Sequence, residues 1–227
     1  MSGKVNPNIS VDCVVFGFDG ASLNVLLIES ESEQGDSVKT KIPGDLIELG
    51  EGLDDAASRV LYEVTGLKEV HLKQFHSFGE PDRTKKPGDR SWLEHYRTEP
   101  DARVITIAYY ALVKMEDFEL SALSEGQRPF WQNIGNVPDL IFDHNEIVEV
   151  GLWKLQRHFL LNKSAYELLP EKFTLNQLQQ LHEAIMQEDL DKRNFRKKAV
   201  RENHIEATEE KQEGVLHKPA RLYRIKR

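Results

Sequence analysis

One short segment of the chain carries carboxylates and an arginine at a spacing that could support phosphate chemistry. Hydrolysis of a pyrophosphate needs a divalent metal that neutralises the phosphates and activates water, and magnesium takes carboxylate oxygens as ligands. Glu51, Arg59 and Glu63 supply suitable residue types. Two further glutamates at positions four apart on the same helical face would point at one metal cluster. Those positions hold Val60 and Val64, which have no lone pairs to offer.

The remaining polar residues of this segment have a structural explanation. Arg59 and Glu63 are four apart, which predicts a salt bridge that holds the loop before the helix. Glu48 and Glu51 could still bind a metal weakly, and the valines could simply widen the apolar stripe of the helix. Either way the metal site is lost. We therefore predict a phosphate-ligand pocket that has kept its shape but lost its chemistry, with no metal ligands and with three vestiges of catalysis: Glu51, Arg59 and Glu63.

Composition limits the classes of protein that fit. The chain has 227 residues, which suits one large domain or two small ones, and 30% of them are charged. Its one cysteine, Cys13, lies in an apolar run and is expected to be buried, which fits a reducing cytoplasm. No apolar stretch approaches the roughly 18 residues of a membrane span, and the N-terminus lacks the pattern of a signal peptide. We therefore expect a cytoplasmic protein without a membrane partner.

Charge is distributed unevenly along the chain. The formal net charge is −8, yet residues 191–227 contain 12 Lys and Arg against 6 Asp and Glu. An acidic body with a basic end predicts that only the C-terminal end meets a polyanion.

Periodicity and turn residues predict a mixed N-terminal part. Strands are expected at Val11–Phe18 and Leu23–Glu29 around the turn Asp19-Gly20, then near 39–43, 71–78 and 103–113, with another short strand from Trp131. A helix with Asp54 and Asp55 in its first turn ends before Gly66. Residues 80–102 form a long polar insertion, and residues 145–162 have helical spacing that suits a linker or a dimer helix. A domain boundary is predicted near 163.

The C-terminal part predicts two apolar-faced helices and a wing. Thr174 is a natural N-cap for a helix that runs to Ile185. After a short turn comes the helix Asp191–Arg201, whose basic side chains point away from Phe195. Two short strands around a polar tip follow. This is the arrangement of a winged helix that reads DNA, and the predicted DNA-binding residues are Lys192, Arg193, Asn194, Lys197, Arg201, Lys211, His217, Lys218 and Arg221.

The segment Gly44–Leu67 resembles the Nudix box, with Glu51, Arg59, Leu61, Glu63, Gly66 and Leu67 at the expected spacing and Asp45 in place of one glycine. With the stretches Phe78–Arg83, Arg103–Leu112, Leu140–His144, Leu169–Thr174 and Asp191–Arg196, essentially the whole chain resembles the Nudix-related transcriptional regulators of NAD metabolism. The resemblance implies an α+β fold. A degenerate Nudix-type α/β/α sandwich with a mixed sheet would occupy residues 1–163, and a winged helix-turn-helix residues 164–227.

The same resemblance implies a function. It predicts a homodimeric repressor of NAD synthesis or salvage genes, bound to operator DNA of two-fold symmetry and released when ADP-ribose fills the Nudix pocket, with no cofactor required. Some members of this family hydrolyse ADP-ribose, and relatives of the same architecture respond to sugars such as arabinose. The two valines argue against hydrolysis here.

An effector pocket for a pyrophosphate needs cationic donors, and an adenine needs a flat apolar partner. The candidate ligand-binding residues are Phe18, Lys41, Arg59, Arg83, Arg103 and Tyr110. His76 and His144 lack the spacing of metal ligands, and His144 is expected to cap a loop or the start of a helix.

Three hypotheses therefore follow from the sequence. The first is a ligand-controlled transcription factor. The second is a working hydrolase of ADP-ribose that uses Glu48, Glu51 and Glu63. The third is an adaptor whose winged helix binds protein rather than DNA.

Overall fold

The computed structural model describes residues 5–30, 38–86, 89–117, 120, 126–162, 164–202, 204–214 and 218–226. The chain divides into two compact units. The first unit is formed by Met1–Gly17 with Asn24–Lys154, and the second by Phe18–Leu23 with Leu155–Arg227. The predicted α+β class, a mixed sheet followed by a winged helix, is confirmed. The boundary near 163 stays a prediction.

Seven strands of the described chain form one sheet. They are β1 (Val5–Phe18), β2 (Leu23–Ser30), β3 (Lys39–Lys41), β4 (Gly44–Glu48), β5 (Lys73–Phe78), β6 (Ile105–Lys114) and β7 (Gln127–Asn133). The main order is β3-β2-β1-β6-β5, while β4 pairs with β1 and β7 pairs with β2. The helices of this part are α1 (Leu53–Thr65), α2 (Arg90–Tyr96) and α3 (His144–Asn162).

The burial of strand β1 shows that this sheet is covered on both faces. Its central residues are all buried, as expected for a strand with helices on each side. Val11, Cys13 and Val15 pack in one cluster with residues of α1. Val14 points to the other face, where a Cβ added to Gly151 of α3 would lie 3.4 Å from its Cγ2. Glycine at this position therefore lets α3 approach the sheet closely.

Helix α1 begins and ends where the sequence predicts. Asp54 and Asp55 lie in its first turn, where negative charge is favourable. Gly66 follows its last turn with φ 75°, and its N–H donates to the Tyr62 carbonyl oxygen. A left-handed residue at this position suits glycine, which has no Cβ to strain.

The structure differs from the sequence-based expectation in four places. The strand predicted near 39–43 is two strands, because β3 pairs with β2 whereas β4 turns to pair with β1. The polar insertion 80–102 contains helix α2. Strand β1 begins at Val5, which pairs with Glu48 of β4. Strand β7 begins at Gln127, before Trp131, because it pairs with β2 over its full length.

The second unit has the elements of a winged helix. Helices α4 (Leu175–Met186) and α5 (Lys192–Arg201) are followed by the antiparallel strands β8 (Ile205–Lys211) and β9 (Arg221–Ile225). Thr174 caps α4 as predicted, and Gln177 completes a capping box. Phe173 and Tyr223 exchange backbone hydrogen bonds of 2.9 and 2.8 Å, which adds a bridge beside β9. None of the described helices is long and apolar enough to cross a membrane.

Candidate functional site

Arg59 braces the loop before α1 against the helix. Its guanidinium donates to both carboxylate oxygens of Glu51, at 2.7 and 2.8 Å, and to Glu63 at 2.9 Å. It also donates to the Leu46 carbonyl oxygen at 3.3 Å, and Glu51 accepts from the Glu48 backbone N–H at 3.0 Å. The predicted salt bridge between Arg59 and Glu63 is confirmed. The hydrogen bond from Arg59 holds the pKa of Glu51 below its usual range.

The face of α1 opposite this brace is apolar. Val60 is 1% exposed and Val64 is 7% exposed, and Val60 packs in the same core cluster as Leu61. The carboxylates of Glu51 and Glu63 are engaged by Arg59, and the two valines provide no oxygen atoms. Among the described residues, no three His, Cys, Asp or Glu side chains are grouped to hold a metal ion. These residues do not fit the magnesium cluster that a Nudix box holds, so no chemical step is assigned to a metal.

A second set of charged side chains lies beside β4, and most of it is buried. We call it the Arg83 cluster: Asp12, Lys41, Arg83, Arg97, Asp143 and His144. Arg83 is 7% exposed and donates to both carboxylate oxygens of Asp143, from Nε at 2.8 Å and from Nη2 at 2.7 Å. The same Nη2 lies 3.5 Å from Asp12 Oδ2. One guanidinium is thus shared by two carboxylates from distant parts of the sequence.

Lys41 joins the cluster from β3. It is 5% exposed, donates to the Gly44 carbonyl oxygen at 2.9 Å, and lies 5.2 Å from the centre of the Trp92 ring. Burial lowers the pKa of Lys41 although Asp45 and Asp12 act against it. Gly44 is required here, because an added Cβ would lie 1.8 Å from Asp12 Oδ1.

The buried environment of the cluster determines the protonation states of Asp12 and His144. Burial raises the pKa of Asp12, but His144, Arg83, a hydrogen bond from Thr106 and Lys41 together lower it below its usual value. Burial lowers the pKa of His144 to about 4, and its Nδ1 accepts from the Ile42 backbone N–H at 3.3 Å. His144 is therefore neutral near pH 7 and stands at the start of α3, as the sequence predicted.

The structure brings only some of the candidate ligand-binding residues together. Lys41 and Arg83 lie in one cluster, whereas Arg59 belongs to the brace of α1. Arg103 donates to the Gly79 carbonyl oxygen at 2.9 Å in an exposed position. Tyr110 is 8% exposed and packs edge-on against Phe75 at 5.9 Å. Phe18 is buried at the end of β1.

Sequence reasoning missed Arg97, a member of the Arg83 cluster, and Asp89, which binds the turn beside it. Arg97 lies 5.9 Å from the centre of the Phe142 ring, and burial lowers its pKa. Asp89 accepts from the Phe142 backbone N–H at 2.7 Å and fixes the turn before α3. The one available signal was the stretch Leu140–His144, whose acid and histidine directly precede a predicted helix.

The outer face of α5 is the most exposed cationic surface of the second unit. Phe195 is 9% exposed and anchors the helix, while Lys192, Arg193, Asn194, Lys197 and Arg201 are all exposed. Within the described part of the chain, the four cations among them form no ion pair. Asp191 caps the helix by accepting from the Asn194 backbone N–H at 2.8 Å. This surface matches the predicted geometry of a recognition helix.

The wing differs from the expected basic hairpin. Arg221 donates to the Thr208 carbonyl oxygen at 2.9 Å and lies 3.6 Å from Glu209. Arg224 pairs with Glu206 at 2.6 Å. Lys211 and Lys218 are exposed, and His217 lies outside the described residues. The strands of the wing thus carry carboxylates beside their cations.

Comparison with known proteins divides the chain in the same order. Residues 6–133 match the family described as NUDIX domain, and residues 165–225 match the family described as NrtR DNA-binding winged helix domain. A curated relative from Acinetobacter baylyi, "ADPR responsive transcriptional repressor NtrR", is 27% identical over 225 residues, which are 97% of this chain and 82% of that relative.

Solved structures share the fold. The structure of Shewanella oneidensis NrtR complexed with a 27mer DNA has a TM-score of 0.68 at 23% identity, covering 96% of this chain and 93% of that one. A MutT/nudix family protein from Enterococcus faecalis has a TM-score of 0.69 at 20% identity, covering 100% and 89%. The NUDIX domain of Shewanella oneidensis NrtR complexed with ADP ribose has a TM-score of 0.52 at 20% identity, covering 68% and 90%.

Proposed function

The chain belongs to the Nudix family, and we propose that it is a transcriptional repressor that binds operator DNA and is released by ADP-ribose. The observation that carries the proposal is the exposed cationic face of α5 within a domain that matches a DNA-binding winged helix family. The curated relative is named as an ADPR-responsive repressor, which supports the effector. The regulated genes are proposed to be those of NAD synthesis or salvage.

The DNA contacts are proposed from α5 and the wing tip. Arg193 and Asn194 lie in the first turn of α5, where side chains of a recognition helix reach base edges. Lys197 and Arg201 follow on the exposed side and suit phosphate contacts. Lys192, Lys211, His217, Lys218 and Arg221 complete the proposed contact set. Phosphate neutralisation by these cations predicts strongly salt-dependent binding.

The effector is proposed to bind, without being hydrolysed, in the part of the chain that matches the NUDIX family, residues 6–133. Lys41 and Arg83 supply cations for the diphosphate, and Phe18 or Tyr110 supplies a ring for the adenine; Arg59 and Arg103 remain proposed contacts. Val60 and Val64 support the absence of hydrolysis, because a buried apolar pair has replaced two metal ligands. No cofactor enters this proposal.

The assembly is proposed to be a homodimer on an operator of two-fold symmetry. One winged helix covers a short footprint, and a two-fold partner is the usual way to lengthen it. A protein that binds operator DNA acts where the genome lies, so the proposed location is the cytoplasm.

The test is fluorescence anisotropy with labelled DNA from upstream of the neighbouring genes, at fixed salt, with ADP-ribose added. Tight, sequence-selective binding that collapses with ADP-ribose is the expected result. Binding that ignores ADP-ribose but responds to a sugar such as arabinose would keep the repressor and replace the effector. Absence of selective binding at every salt concentration would remove the repressor, and magnesium-dependent release of AMP from ADP-ribose would put a hydrolase in its place.

A further inference from the structure

Arg83 holds an anionic side chain of the protein itself. Its guanidinium makes two hydrogen bonds, of 2.8 and 2.7 Å, with the two oxygens of Asp143. Both side chains are largely buried, at 3% and 13% exposed. An arginine binds a carboxylate and a phosphate through the same paired N–H donors, so the two anions compete for one guanidinium. Asp143 therefore occupies the position that a phosphate of the effector would take.

The charges around Arg83 determine how strongly Asp143 and a phosphate compete for its guanidinium. Asp12 lies 3.5 Å from the same Nη2 atom, so two carboxylates already balance the guanidinium. Burial raises the pKa of Asp143 although Arg83 acts against it, because the carboxylate is held away from water. A diphosphate that entered beside both carboxylates would meet repulsion in a site of low dielectric. A diphosphate that binds this guanidinium therefore competes with the carboxylate that makes two hydrogen bonds to it, Asp143.

Asp143 is the member of the cluster whose departure has structural consequences. Its carbonyl oxygen accepts the first hydrogen bond of α3, from the Ile147 N–H at 3.1 Å. The preceding residue, Phe142, has φ 56°, a left-handed conformation that is costly for a bulky side chain. The turn keeps this conformation through several contacts: Asp89 binds the Phe142 N–H, the Ile141 N–H donates to the Thr40 carbonyl oxygen, and Arg83 binds Asp143. Loss of the Arg83 contact removes one of these restraints.

We infer that Asp143 is an internal competitor for the effector, bound to Arg83 in the DNA-binding form and displaced by a phosphate of ADP-ribose. The exchange releases the strained turn at Phe142 and loosens the first turn of α3. The chain passes from the first unit to the second within this helix, after Lys154. Asp143 thereby lowers the affinity of the effector, and its displacement couples effector binding to the conformation of α3. This inference rests on the proposed function.

The variant that tests it is Asp143→Asn, which keeps the shape and one acceptor oxygen but removes the competing charge. Calorimetric titration of the full chain with ADP-ribose is expected to give binding on the order of 10-fold tighter than wild type. The matched control is Asp139→Asn, because Asp139 is 89% exposed and its ion pair with Lys86 lies at the surface. That control is expected to leave the affinity unchanged. Asp143→Glu, which keeps the charge, is expected to bind much as wild type does.

A second measurement needs no variant. Hydrogen exchange of the Ile147 amide in the wild-type protein is expected to quicken when ADP-ribose binds, because its acceptor belongs to the displaced residue. Unchanged or slower exchange would overturn the inference even if Asp143→Asn failed to fold.

The outcomes separate this inference from the proposed function. Wild-type protein that does not bind ADP-ribose would overturn both. Wild-type protein that binds ADP-ribose, with an Asp143→Asn variant that binds equally or more weakly, would overturn the competitor role alone.

Discussion

The two units of this protein treat positive charge in opposite ways. In the first unit, Arg83 is buried and Arg59 is partly buried, and each binds carboxylates through two or more hydrogen bonds. In the second unit, Arg193 and Lys197 are exposed, and within the described chain they form no ion pair. The same residue types therefore stabilise the fold in the first unit and are exposed to a polyanion in the second.

The difference follows from desolvation. A cation leaves water at a large free-energy cost, so inside a protein it needs a carboxylate beside it. An exposed cation pays no such penalty, and its field reaches through solvent to attract DNA from a distance. A ligand that binds Arg83 must thus exchange with Asp143, whereas DNA can contact Arg193 and Lys197 without breaking an ion pair of the described chain.

The largest expected effect comes from breaking a buried pair of the first unit. Arg83→Met leaves Asp143 and Asp12 buried without their shared cation. Removing one partner of a buried pair costs about 3–5 kcal/mol, so the free energy of unfolding is expected to fall by that order. Urea unfolding followed by circular dichroism measures it.

An exposed arginine of the same unit is the matched control. Arg90 pairs with Glu94 and Asp101 at the surface, where ion pairs contribute little. Arg90→Met is expected to leave the unfolding midpoint nearly unchanged. Equal losses in the two variants would remove the contrast between buried and exposed cations.

The corresponding change in the second unit should alter binding and spare stability. Reversing charge at Arg193 and Lys197 together is expected to weaken DNA binding at least ~100-fold, about 3 kcal/mol, and to lower the salt slope by about 1, because Lys197 is the proposed phosphate contact of the two. Reversing Lys68 and Lys85, two exposed lysines of the first unit, is the control with the same change in net charge. A similar loss of affinity in that control would mean that net charge, not α5, governs binding.

The pH dependence of stability isolates the buried cluster. Burial lowers the folded-state pKa of His144 to about 4 from 6.5, so between these values the unfolded chain binds more protons. Stability therefore falls as pH decreases, by about 2 kcal/mol from this group between pH 7 and pH 5. His144→Gln is expected to lose that part of the dependence in urea unfolding at the two pH values. An unchanged dependence would mean that other groups cause it.

Much of the fold could be predicted because its signals are local. Thr174 caps α4, Gly66 ends α1, and Arg59 bonds Glu63 one turn away, all within a few residues of sequence. The apolar spacing that places Val60 and Val64 in the core is equally local. Such features depend on helical geometry alone, which follows from the spacing of residues along the sequence.

The Arg83 cluster could not be predicted in the same way. Arg83 and Asp143 are 60 residues apart, and Asp12 reaches them from a third segment. Only the pairing of distant strands brings these residues together. Arg83 was a candidate because of its charge, but its internal partner has no signal in the spacing. The pairing of wing cations with carboxylates also has no signal in the spacing, because Glu206 and Arg224 meet only when β8 pairs with β9.

The wing lies between the two extremes, since its cations are exposed yet have carboxylate neighbours. Arg221 is 52% exposed and lies 3.6 Å from Glu209, whose side chain is fully exposed. If the exposure of a cation decides whether it can bind DNA, a DNA phosphate displaces Glu209 from Arg221. The remaining effect of Glu209 is then its electrostatic repulsion of the phosphate. Glu209→Gln is then expected to tighten DNA binding by about 2-fold at low salt, with the gain lost at high salt. Glu149→Gln, an exposed glutamate of the first unit, is the control. Weaker DNA binding by Glu209→Gln would instead mean that the carboxylate positions Arg221 for its contact with DNA. The ion pair of a surface cation, rather than its exposure, would then determine how well it binds DNA.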